Sequence, residues 1–309
     1  MNRNLLTFAM AAAVGASLIA TTSCQCNRAG NNLADAIDTL GKPQISETDL
    51  NKSKTILYTI PSPVEIAMLV KNSGVAFDED IVNPVASHTS YESNFKLALN
   101  LGIYSADMSY ASIFDQTQMT VQYMNTMKTM AEKLGIMQIM NDELISKLEN
   151  KNNSRQDMLN LISEVYMNAN AFLTENNRKS VAAMVLAGGW IEGLYIAMTT
   201  TDIKDKNNSG MIERIIFQKL SLETMISIVD ENLESAPDDA DMSYLKTKLA
   251  TLKAIFDEIS INNSGKITAT TNAETRTTTI SGANEANISE DIFALLRQTV
   301  TEIRADFVK

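Results

Sequence analysis

Two acidic residues, Asp107 and Glu192, each stand alone in long apolar stretches of the sequence. Asp107 is the one charged residue between Leu97 and Phe114, and Glu192 is the one charged residue between Val181 and Thr201. A carboxylate buried in such a stretch is costly unless it is paired, hydrogen-bonded or protonated. We therefore expect each acid to have a compensating group in the folded protein.

The surroundings of these acids leave three interpretations open. A polar spot between two helices could hold a small cationic or hydroxylated ligand. Two carboxyl groups could also serve a hydrolase, as they do in glycosidases. The third interpretation, which we favour, is structural: each acid bonds a neighbouring Tyr, Ser, Lys or Arg and specifies packing. The candidate ligand-binding residues are Asp107, Glu192, Trp190, Tyr104, Tyr110 and Tyr195.

Other catalytic chemistry finds little support in the sequence. His88 is the single histidine, and Cys24 and Cys26 are the two cysteines. Without an HExxH motif, a histidine cluster or a CxxC pair, a zinc site of the usual kind is excluded. A Ser-His-Asp triad would have to use His88, and no GxSxG motif accompanies it. The sequence therefore predicts no catalytic residue, no metal and no cofactor, and an enzymatic function is the less favoured one.

Methionines recur at Met124, Met127 and Met130. Thioether ligands at this spacing suit Cu(I). The same spacing on a helix marks one side of an apolar face, and methionine packs readily in helical cores. We expect these side chains to be packing residues.

The elements that must position the two acids are helices. The segment Val181 to Thr201 is apolar on nearly all sides, so it must be buried in protein or in lipid. Its length would span a bilayer, but its central glutamate favours a buried core helix. Gly189, Gly193 and Ala197 form one stripe where another backbone can approach closely. Because the segment Leu97 to Phe114 is similar and contains Gly102, the two helices could pack glycine face to glycine face.

Further helices are expected along the whole chain, while one stretch near the end differs. Residues 262–287 are rich in Thr, Asn, Ala and Gly, which favours a two-stranded excursion or a mobile loop. We predict an all-α fold of seven to nine helices in one bundle-like domain, with a short Thr-rich β-hairpin or loop insertion near 263–287. The expected helices cover Pro63–Gly74, 89–114, 116–134 after an Asp115 cap, 141–150, 154–174, the central helix, 211–233, 242–259 and 289–306, the last with Ile292, Leu295, Leu296, Val300 and Ile303 as its apolar face.

The first residues of the chain have the pattern of an export signal. Arg3 supplies a positive charge, Leu5 to Ala20 is apolar, and the segment ends at Thr-Thr-Ser-Cys. A short apolar run that stops at a cysteine after small residues resembles the lipobox of bacterial lipoproteins. The resemblance implies that Cys24 becomes the acylated first residue of the mature protein. Cys26 is the competing candidate, although the large Gln25 precedes it, and an ordinary secretory signal cut nearby is the alternative.

This resemblance gives the domain organisation and the expected location. Residues 1–23 would be a lipoprotein signal peptide, 24–60 a tether and N-terminal extension, and 61–309 a helical domain. The protein would be exported and lipid-anchored to the outer membrane or cell envelope of a Gram-negative bacterium. The formal net charge of −11 discourages nucleic acid as a partner. The expected function is that of an envelope-anchored binding or scaffolding component, with the membrane as one partner and another envelope protein as a candidate partner. A small-ligand-binding protein and a carboxylate-based hydrolase are the alternatives.

Overall fold

A computed structural model describes residues 63–136, 157, 178–262, 268–272, 277–281 and 285–309, with backbone alone between 261 and 286. All of these residues belong to one compact unit. The predicted signal segment with Cys24 and Cys26, the predicted tether and the predicted helices 141–150 and 154–174 lie outside the described residues, apart from residue 157.

The described part of the chain forms seven α-helices, which confirms the all-α, bundle-like prediction. The same described residues include three short 3₁₀ helices, at Glu79–Ile81, Val85–Ser90 and Lys206–Asn208. The α-helices are α1 (Pro63–Asn72), α2 (Asn94–Ile113), α3 (Thr117–Lys133), α4 (Lys179–Thr200), α5 (Ser209–Ser235), α6 (Ala240–Asp257) and α7 (Glu290–Val308).

Several helix ends have residues that satisfy or terminate the helical hydrogen bonding. The side chains of Ser93, Asp239 and Ser289 accept hydrogen bonds from backbone amides in the first turns of α2, α6 and α7. Such N-caps satisfy amide groups that have no partner inside the helix. Gly74 and Gly135, with φ angles of 84° and 67°, end the helices before them as predicted.

Two predicted boundaries were wrong. Asp115 has a φ angle of 61° and lies just after α2, whereas α3 begins at Thr117 without a side-chain cap. An aspartate tolerates this left-handed conformation, so Asp115 ends α2 instead of capping α3. The helix expected from residue 89 begins at Asn94, because Val85–Ser90 is a separate 3₁₀ helix.

Helix α4 is the core helix of the described bundle and contacts α1, α2, α5 and α7. By length and composition it is the one described helix that could cross a membrane, but 94% of its most apolar window is buried inside the protein. Side chains of the surrounding helices therefore supply the apolar environment that this sequence requires. The prediction of a core helix inside the polypeptide is confirmed.

Glycines allow α2 and α4 to touch backbone to backbone. A Cβ atom on Gly102 would lie 2.0 Å from the Val185 carbonyl oxygen, and one on Gly188 would lie 2.0 Å from the Leu99 carbonyl oxygen. Both distances are far below any real contact, so only glycine fits at either position. Gly193, which was predicted to form the stripe with Gly189 and Ala197, instead faces the Ile66 side chain of α1 at an ordinary 3.5 Å.

Four short strands lie between α6 and α7, in the region where a hairpin or loop was expected. Strand β1 (Ser260–Asn262) pairs antiparallel with β4 (Glu285–Asn287), and β2 (Thr268–Asn272) pairs antiparallel with β3 (Thr277–Ser281). The β2–β3 ladder runs from Thr268 opposite Ser281 to Asn272 opposite Thr277. This ladder matches the hairpin alternative.

The apolar face of α7 excludes one predicted residue, Leu295, and includes two that were not predicted, Phe293 and Phe307. Leu295 is 47% exposed, whereas Phe293 and Phe307 are buried together with Leu296, Val300 and Ile303. The buried positions recur every three to four residues from 293 to 307, as one face of a helix requires. Leu295 lies two residues from Phe293 and therefore points away from that face.

Candidate functional site

Helices α2 and α4 bring the two isolated acids together. The side chains of Asp107 and Glu192 are both fully buried, and they lie within hydrogen-bonding reach of each other. The backbones touch where Gly102 meets Val185, and the acids meet one to two turns further along each helix. The two helices therefore run in the same direction.

An arginine from the end of the chain neutralises Glu192. Arg304 Nε and Nη2 donate to the two carboxylate oxygens of Glu192, each at 3.0 Å, in a bidentate ion pair. Nη2 also donates to the Ile81 carbonyl oxygen at 3.3 Å, and the guanidinium lies 4.8 Å from the ring centroid of Tyr195. Since the Arg304 side chain is only 14% exposed, this pair belongs to the interior. Asp107, Glu192 and Arg304 are termed the carboxyl–arginine cluster below.

Asp107 is less completely compensated than Glu192. Its Oδ2 accepts a hydrogen bond from the Asn83 backbone amide at 3.1 Å. Its Oδ1 is buried and receives no hydrogen bond from an N–H or hydroxyl donor of the described residues. The loop before α2 therefore holds one oxygen of this carboxyl group, and the other is turned towards the interior.

The electrostatics of the cluster follow from burial and from the arginine. Burial raises the pKa of Asp107 well above its usual value, and the neighbouring Glu192 charge raises it further. Burial also raises the pKa of Glu192, but there Arg304 opposes the shift. Burial alone would lower the pKa of Arg304, and the Glu192 carboxylate outweighs it so that the pKa rises. Of the two acids, Asp107 is the one whose ionised form is stabilised less.

Three buried tyrosines surround the cluster and bond to backbone carbonyl groups. Burial is the main cause of a raised pKa in each, so their hydroxyl groups stay protonated and act as donors. Each hydroxyl donates to a carbonyl of another segment, which ties the loop before α2 and the end of α7 to the core. The pairs are Tyr91 with Val308 at 3.2 Å, Tyr104 with Pro84 at 2.9 Å and Tyr123 with Asn83 at 2.8 Å.

The last carbonyl groups of α7 are held by side chains of α2. Asn100 Nδ2 donates to the Phe307 carbonyl oxygen at 2.8 Å, and Lys96 Nζ donates to the Asp306 carbonyl oxygen at 2.6 Å. These carbonyls have no partners within their own helix. A lysine at a helix C-terminus also suits the negative end of the helix dipole. Helix α7 is thus fixed at its C-terminal end, close to Arg304.

Two of the predicted site residues have separate partners. Trp190 lies two residues before Glu192, about 200° around the helix, and its Nε1 donates to Gln218 Oε1 at 3.0 Å. Tyr110 accepts a hydrogen bond from the Asp78 amide at 3.1 Å and stacks on Phe77. Both side chains are buried. The predicted residues that the structure gathers are Asp107, Glu192, Tyr104 beside Asp107, and Tyr195 beneath Arg304.

Sequence reasoning missed Arg304, although it predicted a partner of this type. Arg304 lies 112 residues from Glu192, so no local pattern connects them. One signal was present: Arg304 follows the buried Val300 by four residues and therefore lies at the edge of the apolar face of α7. No comparable sequence signal pointed to the polar residues around the cluster, which are Asn83, Asn100, Tyr91 and Tyr123.

The other candidates for chemistry are packing or turn residues. Met124, Met127 and Met130 are buried in the hydrophobic core. His88 lies in the 3₁₀ helix Val85–Ser90, with Nδ1 2.8 Å from the Val85 carbonyl oxygen. Within residues 63–136, 178–262 and the described segments after them, no three His, Cys, Asp or Glu side chains gather as a metal site would require.

The described arrangement is closed and largely self-compensated. Both carboxyl groups lack solvent-accessible surface, and both oxygens of Glu192 are engaged by Arg304. Such a cluster specifies how three helices pack and offers no exposed acid or base. No known protein family, curated protein or solved structure matches this chain.

Proposed function

We propose that this protein is an envelope lipoprotein, anchored through Cys24, whose helical body acts as a binding or scaffolding component and not as an enzyme. The observation that carries the non-enzymatic part of this proposal is the complete burial of Asp107 and Glu192 together with the Arg304 pairing, whereas the anchor is argued from the sequence. Asp107 and Glu192, the residues that were the best candidates for binding or catalysis, are thereby used to stabilise the fold.

The two alternative functions require an arrangement of the carboxyl groups that differs from the observed one. A glycosidase needs its two carboxyl groups about 5 Å or more apart on either side of the substrate bond. Here the two groups are within hydrogen-bonding reach of each other. A cationic ligand would have to compete with Arg304, which already makes a bidentate pair with Glu192. Both alternatives are therefore less well supported than a structural role.

The anchor is supported by the sequence and is compatible with the fold. The one described helix of sufficient length and hydropathy to span a membrane is α4, and this helix is buried in the core of the bundle. We assign membrane attachment to a lipid at Cys24, which follows the apolar segment Leu5 to Ala20. The multiple acyl chains of bacterial lipoproteins would give stable attachment, whereas a single chain would not.

Replacement of the anchor residue tests the first half of the proposal. We expect Cys24→Ser to move the protein from the membrane fraction to the soluble fraction of the cell. Cys26→Ser is the matched control and should leave the protein in the membrane fraction. Mass spectrometry of the mature N-terminus should find acyl chains on Cys24. An unmodified Cys24, or equal release by both substitutions, would refute the anchor.

Site-specific crosslinking in cells tests the second half. Leu220 on α5 and Leu295 on α7 are 55% and 47% exposed, so a photo-reactive residue at either position samples the surface without disturbing the core. We expect at least one of them to yield a discrete adduct with an envelope protein, and this adduct should be lost in the Cys24→Ser chain. Thr301, an exposed polar position on α7, is the control. Uncrosslinked monomer at every position, or hydrolytic activity that Glu192→Gln abolishes, would contradict the scaffolding role.

A further inference from the structure

The Glu192–Arg304 ion pair does not compensate the buried Asp107 carboxyl group. Asp107 Oδ1 is buried without a donor, and its nearest charged neighbours are Glu192 and Arg304. If both acids were ionised, one arginine would face two negative charges in an interior of low dielectric constant. A buried carboxylate in this position needs a further positive charge or a donor.

The neighbouring donors are already engaged elsewhere. The titratable and charged groups that face Asp107 in the described residues are Glu192 from α4, Arg304 from α7, Tyr104 from α2, Tyr123 from α3 and Tyr91 from the segment before α2. The three tyrosine hydroxyls donate to backbone carbonyl groups, and the guanidinium of Arg304 donates to Glu192 and Ile81.

The amide groups nearby are engaged as well. Asn83 Nδ2 donates to Tyr91 Oη at 3.0 Å and to Asn100 Oδ1 at 3.3 Å. Asn100 Nδ2 donates to the carbonyl oxygens of Lys96 and Phe307. In the part of the chain that the structure describes, none of these hydroxyl, guanidinium and amide groups donates a hydrogen bond to Asp107 Oδ1.

We propose that Asp107 is protonated in the folded protein at neutral pH and that its Oδ1–H donates to the Glu192 carboxylate, so that the carboxyl–arginine cluster is a proton-dependent lock between α2, α4 and α7. A proton on Oδ1 gives this oxygen a partner and leaves Oδ2 free to accept from the Asn83 amide. The cluster then contains one cation, one anion and one neutral acid, and its net charge is zero. This protonation involves the folded helical body alone and is independent of the anchor.

The lock couples the stability of the protein to pH in a defined direction. Burial and Glu192 raise the folded-state pKa of Asp107 above the unfolded value of about 3.9. Between these two values, the folded chain binds one more proton than the unfolded chain. The stabilisation is therefore fully present below the unfolded pKa and is lost as the pH rises towards the folded pKa. The unfolding constant should rise about tenfold per pH unit in this window for one proton.

Asp107→Asn tests the proposal because an asparagine has the shape of the protonated acid. Its Oδ1 can accept from the Asn83 amide, and its Nδ2 can donate to Glu192. We expect the unfolding constant of the wild type, divided by that of Asp107→Asn, to rise about tenfold per pH unit above pH 4 until it levels off at the folded pKa. The control is Asp291→Asn, an exposed position in the first turn of α7. The unfolding constant of the wild type divided by that of Asp291→Asn should not change with pH from pH 5 upward.

A direct measurement on the wild type covers the case in which Asp107→Asn fails to fold. Infrared spectroscopy of the folded protein at pH 7 should record the carbonyl stretch of one protonated carboxyl group, and Asp291→Asn should retain it. Absence of this band would overturn the proposal in favour of a buried water molecule as donor. A ratio of the wild-type and Asp107→Asn unfolding constants that does not change with pH would do the same. If sodium, potassium or calcium ions raised the Tm of the wild type but not that of Asp107→Asn, a bound cation would replace the proton and the proposal would likewise fail.

Discussion

At the scale of single residues, burial decides what each polar side chain in this protein does. Glu192 is fully buried and is paired with a mostly buried arginine, so its charge is compensated at short range. Trp190, on the other side of the same helix, has its one polar atom bonded to Gln218. Glu192 thus connects α4 to α2 and α7, and Trp190 connects it to α5.

The contact between Trp190 and Gln218 gives a prediction at this scale. Gln218→Met keeps the size of the buried side chain but leaves the indole N–H of Trp190 without its acceptor. Because an unsatisfied buried donor costs about 1–3 kcal/mol, the free energy of unfolding should fall by about that amount in urea titrations. Trp190→Phe combined with Gln218→Met removes both polar groups, so this double variant should lose less free energy of unfolding than the Trp190→Phe and Gln218→Met variants added together. If the double variant loses as much as the two single variants together, the hydrogen bond is not the cause.

The sequence identified the acids of the cluster but not their partners. Asp107 and Glu192 were recognisable because each is the single charge in an apolar helix, and physical chemistry then requires compensation. Arg304 was not recognisable, because the sequence around it is that of an ordinary amphipathic helix with several charges. Which cation meets a buried acid depends on how distant helices pack, and periodicity along the chain does not contain that information.

At the scale of secondary-structure elements, the crossing of α2 and α4 positions the cluster. The two backbones approach so closely that Gly102 and Gly188 have no space for a side chain. Any side chain at these positions would separate the helices. Since Asp107 and Glu192 lie one to two turns beyond the crossing, such a separation would also weaken their hydrogen bond.

Three glycine substitutions should have graded effects that follow the space at each position. Gly188→Ala places a Cβ atom 2.0 Å from the Leu99 carbonyl oxygen and should destabilise the protein by several kcal/mol, as overpacking against backbone does. Gly193→Ala meets only the Ile66 side chain at 3.5 Å and should be nearly neutral. Gly210→Ala has nothing within 4 Å and should stabilise α5 by about 0.5–1 kcal/mol. Thermal unfolding measures all three, and equal effects at Gly188 and Gly210 would contradict the close crossing.

Helix positions were more predictable than helix contacts. The predicted ends of the helices before Gly74 and Gly135 and the predicted starts after Asp239 and at Ser289 depend on neighbouring residues, and each agrees with the observed boundary to within about two residues. The glycine stripe required knowledge of the partner surface. Gly188 meets α2 directly, while Gly193, predicted for the same role, faces α1. Successive side chains of a helix differ in direction by about 100°. A stripe of small residues is therefore easily assigned to the wrong face when the helix that packs against it is not known.

At the scale of the whole molecule, the described bundle is built around one apolar helix whose central acid is neutralised from the end of the chain. Helix α7 closes the bundle, since it contacts α2, α4 and α6 and contributes Arg304. Its C-terminal carbonyl groups are bonded by Asn100, Lys96 and Tyr91. The last helix of the sequence is therefore an integral part of the core.

A double-mutant cycle on Glu192 and Arg304 measures most directly whether this buried pairing holds the molecule together. The variants are Glu192→Gln, Arg304→Met and the combination, and fluorescence of the single tryptophan, Trp190, follows their unfolding in urea. Each single substitution leaves a buried group uncompensated and should cost about 3–5 kcal/mol. The double variant should cost clearly less than the two single variants added, with a coupling free energy of about 2–3 kcal/mol. Single effects that add to within about 0.5 kcal/mol would contradict the pairing and the closed core that depends on it.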